Sequence, residues 1–307
     1  MEKETFAYFN EKEMRFSKRS KKNYGETLIQ DFEKLGYKGI IDERKIGWKK
    51  VQNILIGNFK SAKRVIVVPY DTPKKVFWPG YRCYPQNGDL SMRKNFWPYY
   101  GPLLLAYVGL LAIVYLLPQF LNVTMQQYLL SFSILYLIFL FVLIFRGFAN
   151  RHNVVSREIA ITLAYAVASK LKGEKKQECA FIFTDSNTFK MQGSEAASTF
   201  LKENNRKPEI ILLYCIGKGD TISIAYHKGL RKNAMALAKK HKVRLCSVES
   251  NETLQLPMEH FHQAMMISTG EIYHDALCVR ELCSSKDQVY DAQLVDIVEE
   301  MLLAYLN

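Results

Sequence analysis

The chain has 307 residues, 49% of them hydrophobic, and a formal net charge of +12. That length allows one large domain or two small ones, and the apolar share is enough for a sizeable core. The positive balance raises nucleic-acid binding, but no cold-shock, zinc-finger or RNA-binding motif accompanies it. Part of the excess flanks an apolar segment, so a membrane reading is preferred and no nucleic-acid partner is expected.

Six cysteines (Cys83, Cys179, Cys215, Cys246, Cys278 and Cys283) are scattered without a Cys-x-x-Cys pair, which reads as reduced and cytosolic. Met1-Glu2-Lys3-Glu4 lacks the apolar stretch of a signal peptide, so no secretory cleavage is expected.

In chain order, residues 20–35 predict a helix, with Leu28, Ile29, Phe32 and Leu35 at helical spacing and Gly36 ending it. Residues 51–59 alternate imperfectly as a strand. Val65-Ile66-Val67-Val68 is a run typical of a buried strand. Residues 73–98 follow, with Pro73, Pro79, Gly80, Pro85 and Gly88 among Phe77, Trp78, Tyr81 and Tyr84. They read as a juxtamembrane loop on an anionic leaflet or, equally, as a disordered connector.

Residues 99–121 and 126–145 contain no charged side chain, and each run is near the roughly 20 residues that cross a bilayer core. Pro118, Gln119, Asn122 and Thr124 mark the turn between them, and Trp97, Tyr99 and Tyr100 stand where amphipathic rings favour the headgroup layer. Lys74, Lys75, Arg82, Arg93 and Lys94 precede the first run, Arg146 and Arg151 follow the second, and the connection has no Lys or Arg. The expectation is a two-span hairpin over 99–146 in the cell membrane, with the N- and C-terminal parts cytoplasmic.

Beyond the hairpin, helices are predicted at 156–171, 194–204, 230–241 and 292–305. Strands are predicted at 179–184, 209–216, 243–248 and 264–268. Alternating strands and helices predict a three-layer α/β sandwich with a mostly parallel, mixed sheet. Residues 1–72 hold too few elements to bury their own strands. They are therefore the first part of one domain, completed by 147–307 and interrupted by the loop and the hairpin.

The element order resembles that of the zinc-dependent exopeptidases of metallopeptidase family twenty-eight. That group includes leucyl aminopeptidases and, more widely, glutamate carboxypeptidase, glutaminyl cyclase and the non-catalytic transferrin receptor. The resemblance covers about residues 15–72 and 147–303. It is carried by Gly36-Tyr37, Asn53-Ile54-Leu55, Val65 to Val68, Tyr70-Asp71-Thr72, Gly193-Ser194 and Tyr214-Cys215-Ile216-Gly217. It implies a cleft at the C-terminal ends of the strands, two zinc ions and a glutamate general base. Carried over position by position, the ligand and base positions fall on Pro69, Asn153, Asn187, Thr188, Tyr214 and Cys283, with only the orienting Asp71 kept. None of the six replacements is a family ligand, and a proline cannot bind metal. The resemblance therefore implies a pseudopeptidase with no catalytic residue, no bound metal and no cofactor.

Other chemistry was weighed. Glu259, His260 and His262 suggest a single-metal site on a substrate-side loop, against surface histidines as the plainer reading. Cys283 with His152 and Asp185 suggests a thiol nucleophile, against a buried inert cysteine. Gly217-x-Gly219-Asp220 is half of a phosphate loop and reads as a turn. The expected function is a membrane-anchored, catalytically inactive aminopeptidase-like protein, a binding or scaffolding subunit in a membrane complex handling a peptide. The alternative is an active membrane-bound metallo-aminopeptidase with displaced ligands, which would need zinc. Expected partners are the lipid bilayer, a membrane protein or a second copy of the chain, and a peptide ligand. Gly101 and Gly109 permit close helix packing.

Overall fold

The computed structural model describes residues 14–76, 80–120, 122–186, 191–238, 240–248 and 256–307. Helix α1 (Lys18–Lys34) opens on Ser17, whose hydroxyl accepts the Ser20 N–H, and buries Tyr24, Leu28 and Phe32. Strands β1 (Gly39–Ile46) and β2 (Lys49–Ile56) form a hairpin across Gly47, whose φ of +57° favours glycine. β3 (Arg64–Pro69) follows. After a short β4 (Arg82–Cys83) come two long helices, α2 (Gly88–Leu116) and α3 (Val123–Arg146), joined by a 3-10 turn over Leu117–Phe120. The remainder is a π turn over Val154–Glu158, then α4 (Ile159–Lys170), α5 (Gly173–Glu178), β5 (Cys179–Thr184), α6 (Gln192–Glu203), β6 (Glu209–Leu213), β7 (Thr221–His227), α7 (Arg231–Ala238), β8 (Val243–Val248), β9 (Ala264–Tyr273), β10 (Ala276–Arg280) and α8 (Ala292–Leu306).

The sheet is mixed. β5, β3, β6 and β9 lie side by side and parallel. β2 joins β5 antiparallel, with β1 outside it. β9 also takes β7 and β10 antiparallel; β8 pairs β7 in parallel, and β4 pairs β10. The expectation of a mostly parallel sheet therefore holds for the centre and is corrected at both flanks, where antiparallel pairs close the sheet. Alternation along β3 explains the layering. Ile66 and Val68 face a core built with α1, α4, α7 and α8, while Val65 and Val67 face a second core under α6. All four are fully buried, worth roughly 1.5–3 kcal/mol each.

Four strands are absent from the sequence reading, β1, β4, β7 and β10, and β4 is only two residues long. β1 alternates half-buried and exposed residues at an edge, β7 follows the Gly217–Asp220 turn, and β10 is five residues long. The 156–171 helix begins instead as a π turn at Val154, and the 230–241 helix spans Arg231–Ala238.

The 73–98 segment is also corrected. It is not a loop throughout, because α2 begins at Gly88, with the Asn87 side chain accepting the Leu90 N–H at 2.9 Å. Nor do its described residues form a loose connector. Val76 and Tyr84 are buried, Lys74 bridges to Ala149, and the Asn95 side chain accepts from the Arg82 N–H at 3.0 Å. Phe77, Trp78 and Pro79 lie outside the described residues. Both long helices are long and apolar enough to cross a membrane, with mean hydropathies of 2.1 and 1.7 over their most apolar stretches and few of those residues buried.

Candidate functional site: a buried guanidinium centre

The C-terminal ends of β3, β5 and β6 bring Pro69 to Thr72, Thr184-Asp185 and Tyr214-Cys215 to one edge of the sheet. There they meet the π turn and the loop from Cys283 to Asp287. The centre of this cluster is Arg157, a residue the sequence reading did not single out. Its side chain is 4% exposed. Its Nε donates to the Asp71 main-chain oxygen at 2.9 Å and stands 3.5 Å from Asp71 Oδ1, and its Nη1 donates to the Ser156 carbonyl at 2.7 Å. Burial disfavours its charge. Asp71 opposes that, with Tyr214, Cys283 and Cys215 close behind, and the balance holds the guanidinium firmly protonated.

A second buried pair stands beside it. Arg15 bonds Glu158 through both guanidinium nitrogens, one at 3.0 Å, and its guanidinium carbon lies 4.5 Å from the centre of the Tyr24 ring. The Arg15 N–H donates to the Thr72 hydroxyl at 2.8 Å and the Thr72 N–H to the Arg15 carbonyl at 3.0 Å, so the residue is locked just beyond the end of β3. A third pair closes β5. Lys21 donates to Asp185 at 2.5 Å, and Asp185 also accepts the Gln52 N–H at 3.2 Å. Burial pushes the Asp185 carboxyl up, against the pull of Lys21.

Asp287 organises the turn that presents Arg157. One carboxylate oxygen accepts the N–H groups of Val155 and Ser156, at 3.1 and 3.3 Å, and the other accepts that of Cys283 at 3.1 Å. The Val155 and Ser156 groups are orphan donors at the start of a helical turn. Burial nevertheless pushes this carboxyl up to about 6. Burial also pushes the Cys283 thiol up, so it stays protonated and unreactive. A hydrogen bond with Cys83, then burial, does the same to Cys215.

The cleft has a roof. Val76 donates to the Cys283 carbonyl at 2.9 Å, Lys75 to Phe148 at 2.7 Å, and Asn150 to Pro73 at 2.9 Å. The two ends of the inserted segment are thus zipped together over the strand ends. β4 extends the roof along β10 and sets Cys83 against Cys215.

The residues expected from the resemblance divide as follows. Asp71, Tyr214 and Cys283 gather around Arg157. Pro69 ends β3, and Asn153 precedes the π turn, its carbonyl accepting the Arg157 N–H at 2.9 Å. Asn187 and Thr188 lie outside the described residues. Gly193 shows why a glycine stands in the first turn of α6, for a Cβ there would lie 1.8 Å from the Asp185 carbonyl oxygen.

Two alternative sites are corrected. Glu259, His260 and His262 lie ahead of β9, at the opposite end of the sheet from this cleft, because a parallel strand's N-terminal residues face away from its C-terminal edge. The proposed thiol triad is not assembled: Asp185 is held by Lys21, and His152 Nδ1 meets Gln288. Among the described residues, no three His, Cys, Asp or Glu side chains gather in a way that could hold a metal ion. The donor set of the Arg157 cluster does not fit a zinc pair. Asp71 already faces a guanidinium, Asp185 is held by Lys21 and Asp287 by backbone N–H groups, the thiols are held protonated, and a fixed cation occupies the middle.

Neither a family model nor a curated protein matches this sequence. Solved structures do match the fold. Porphyromonas gingivalis glutaminyl cyclase aligns with a TM-score of 0.59 and 10% identity, over 99% of this chain and 95% of that one. A Zn-dependent exopeptidase from Parabacteroides distasonis gives 0.59 and 11%, over 99% and 95%. The Legionella pneumophila aminopeptidase LapA gives 0.56 and 9%, over 99% of this chain and 67% of that one. The chain therefore has an aminopeptidase- and glutaminyl-cyclase-like fold.

Proposed function

We propose that this chain is a membrane-anchored pseudopeptidase in which Arg157 holds, as an internal cation, the place where relatives of the fold hold metal. The buried contact of Arg157 with Asp71 carries this reading. A guanidinium neutralises the retained aspartate without a metal, and it has no lone pair with which to bind one or to activate water. The positions Pro69, Asn153, Tyr214 and Cys283 agree in kind, since none offers the anionic ligand that the resemblance calls for.

The two long apolar helices form a two-span hairpin over 99–146, with residues 1–72 and 147–307 as one cytoplasmic domain. The charge-free runs and the cationic flanks support this topology. The roof made by residues 73–76 and 80–84 joins the hairpin to the old cleft, so the domain is coupled to whatever the hairpin binds. Its role is that of a binding or scaffolding subunit, joined to a membrane protein or to a second copy and serving a complex that handles a peptide.

The test is purification of the full chain in mild detergent after cross-linking in cells, with aminopeptidase and glutaminyl cyclase assays on the product. A partner or dimer with neither activity is the expected result. A monomer with no membrane partner removes the scaffold role, and metal-dependent turnover abolished by chelation removes the pseudopeptidase reading.

A further inference from the structure

A second concavity opens at the other end of the sheet. It has a volume of about 1070 Å³ and lies between the end of α6, the start of β6, the end of β7 and the segment ahead of β9. At about 3.3 Å per residue, the stretch of β6 from Pro208 to Tyr214 separates it from the Arg157 centre by roughly 20 Å.

Among the described residues its charge is one-sided. Lys202, Arg206, Lys207 and Lys228 contribute four cations, and Glu259 contributes one carboxylate, which already accepts the Leu256 N–H at 3.4 Å. Lys202, Arg206 and Lys207 form no ion pair with any described residue, whereas Arg44 nearby on β1 holds both Asp42 and Glu203. His227 and His260 also line this pocket, and their Nε2 atoms have no hydrogen-bond partner among the described residues. Like charges gathered at a concave wall repel one another and focus a positive potential, and an anion relieves both. Leu201, Ile210 and Val248 add apolar wall beside the cations.

We infer that this pocket binds a phosphorylated small molecule, with Lys202, Arg206 and Lys207 holding its phosphate and the apolar wall its organic body. A multiply charged anion fits three unpaired cations better than a single carboxylate does, and Arg206 offers the planar fork suited to phosphate oxygens. The volume is at the upper end of small-molecule sites, about 300–1,000 Å³, which points to a ligand of nucleotide size rather than bare phosphate. The pocket faces away from the strand ends that lead to the hairpin. That favours a ligand from the aqueous phase over a lipid headgroup, and this step alone rests on the membrane reading given above.

The test is calorimetric titration of the full chain in detergent with pyrophosphate and with ATP, at low and high salt. Saturable binding that weakens with salt is expected. The Arg206→Ala/Lys207→Ala variant is expected to bind at least about tenfold more weakly, with an unchanged unfolding midpoint in the absence of ligand. Arg206→Lys/Lys207→Arg should recover the affinity. Absence of saturable binding by both probes, or equal binding by the double alanine variant, overturns the inference. So does capture only by anionic lipid vesicles or by a polyglutamate peptide, without a response to either phosphate probe. None of these readouts depends on whether the cleft holds a metal, so this inference and the pseudopeptidase reading fail separately.

Discussion

The two ends of the sheet treat charge in opposite ways. At the C-terminal end, Arg157, Arg15 and Lys21 are each buried or nearly so, and each faces a carboxylate. At the N-terminal end, Lys202, Arg206 and Lys207 line an open pocket and form no ion pair with any described residue. The end at which the resemblance would place metal is internally neutralised here, while the opposite end opens as a pocket whose cations are, among the described residues, largely uncompensated. Charge that a fold balances internally is structural; charge that it leaves unbalanced around a cavity is available to a ligand.

The comparison can be broken most severely at Gly193. Gly193→Ala should prevent folding or cost more than about 4 kcal/mol, because its Cβ meets the Asp185 carbonyl at 1.8 Å. Denaturant unfolding measures it, and a neutral result would mean that the cleft end is not tightly filled. Next, Arg157→Met strands a buried carboxylate and should cost about 3–5 kcal/mol, with part recovered in the double variant with Asp71→Asn. Lys21→Met should cost less, about 1–3 kcal/mol, since Asp185 keeps its bond from Gln52 and the lysine is partly exposed.

A pH series sharpens the comparison at the open end. Burial holds His227 and His260 below their ordinary value of 6.5, with Lys202 also lowering His260 and Glu195 raising it. A depressed folded value means that the neutral form supports the fold. That support is complete above pH 6.5 and is lost as the pH falls through the lowered folded values. The unfolding midpoint should therefore drop in this window, and His227→Gln/His260→Gln should flatten the dependence. The smallest effect belongs to the exposed pair of Lys18 and Glu43, 3.5 Å apart, whose removal should leave the midpoint unchanged.

Much of the fold was legible because its signals are local. The Val65–Val68 run, the alanine-rich start of α4 and the two charge-free stretches each carry their meaning within a few residues. β1 and β7 were hidden because an edge strand of charged and apolar residues, or one paired only by tertiary context, has no strong period of its own. Of the positions that the resemblance singles out, Asp71, Tyr214 and Cys283 gather around one buried side chain. That side chain, Arg157, was not legible in advance. Arg157 finds Asp71 across 86 positions of sequence, and Arg15 finds Glu158 across 143, which spacing alone cannot reveal. The one available signal was the charged dipeptide Arg157-Glu158 at the head of an apolar helix, where an unpaired charge would be costly. His260 and His262 were misassigned for a topological reason, since which end of β9 they approach depends on strand direction within the sheet.

The most direct measurement is the zinc content of the detergent-purified chain by elemental mass spectrometry, after dialysis against buffered zinc. If Arg157 occupies the centre as an internal cation, less than about a tenth of a zinc per chain should remain, as expected of a site whose Asp71 carboxylate is already taken by a guanidinium. One or two tightly held zinc ions per chain, lost on substitution of Asp71 or Cys283, would contradict the account.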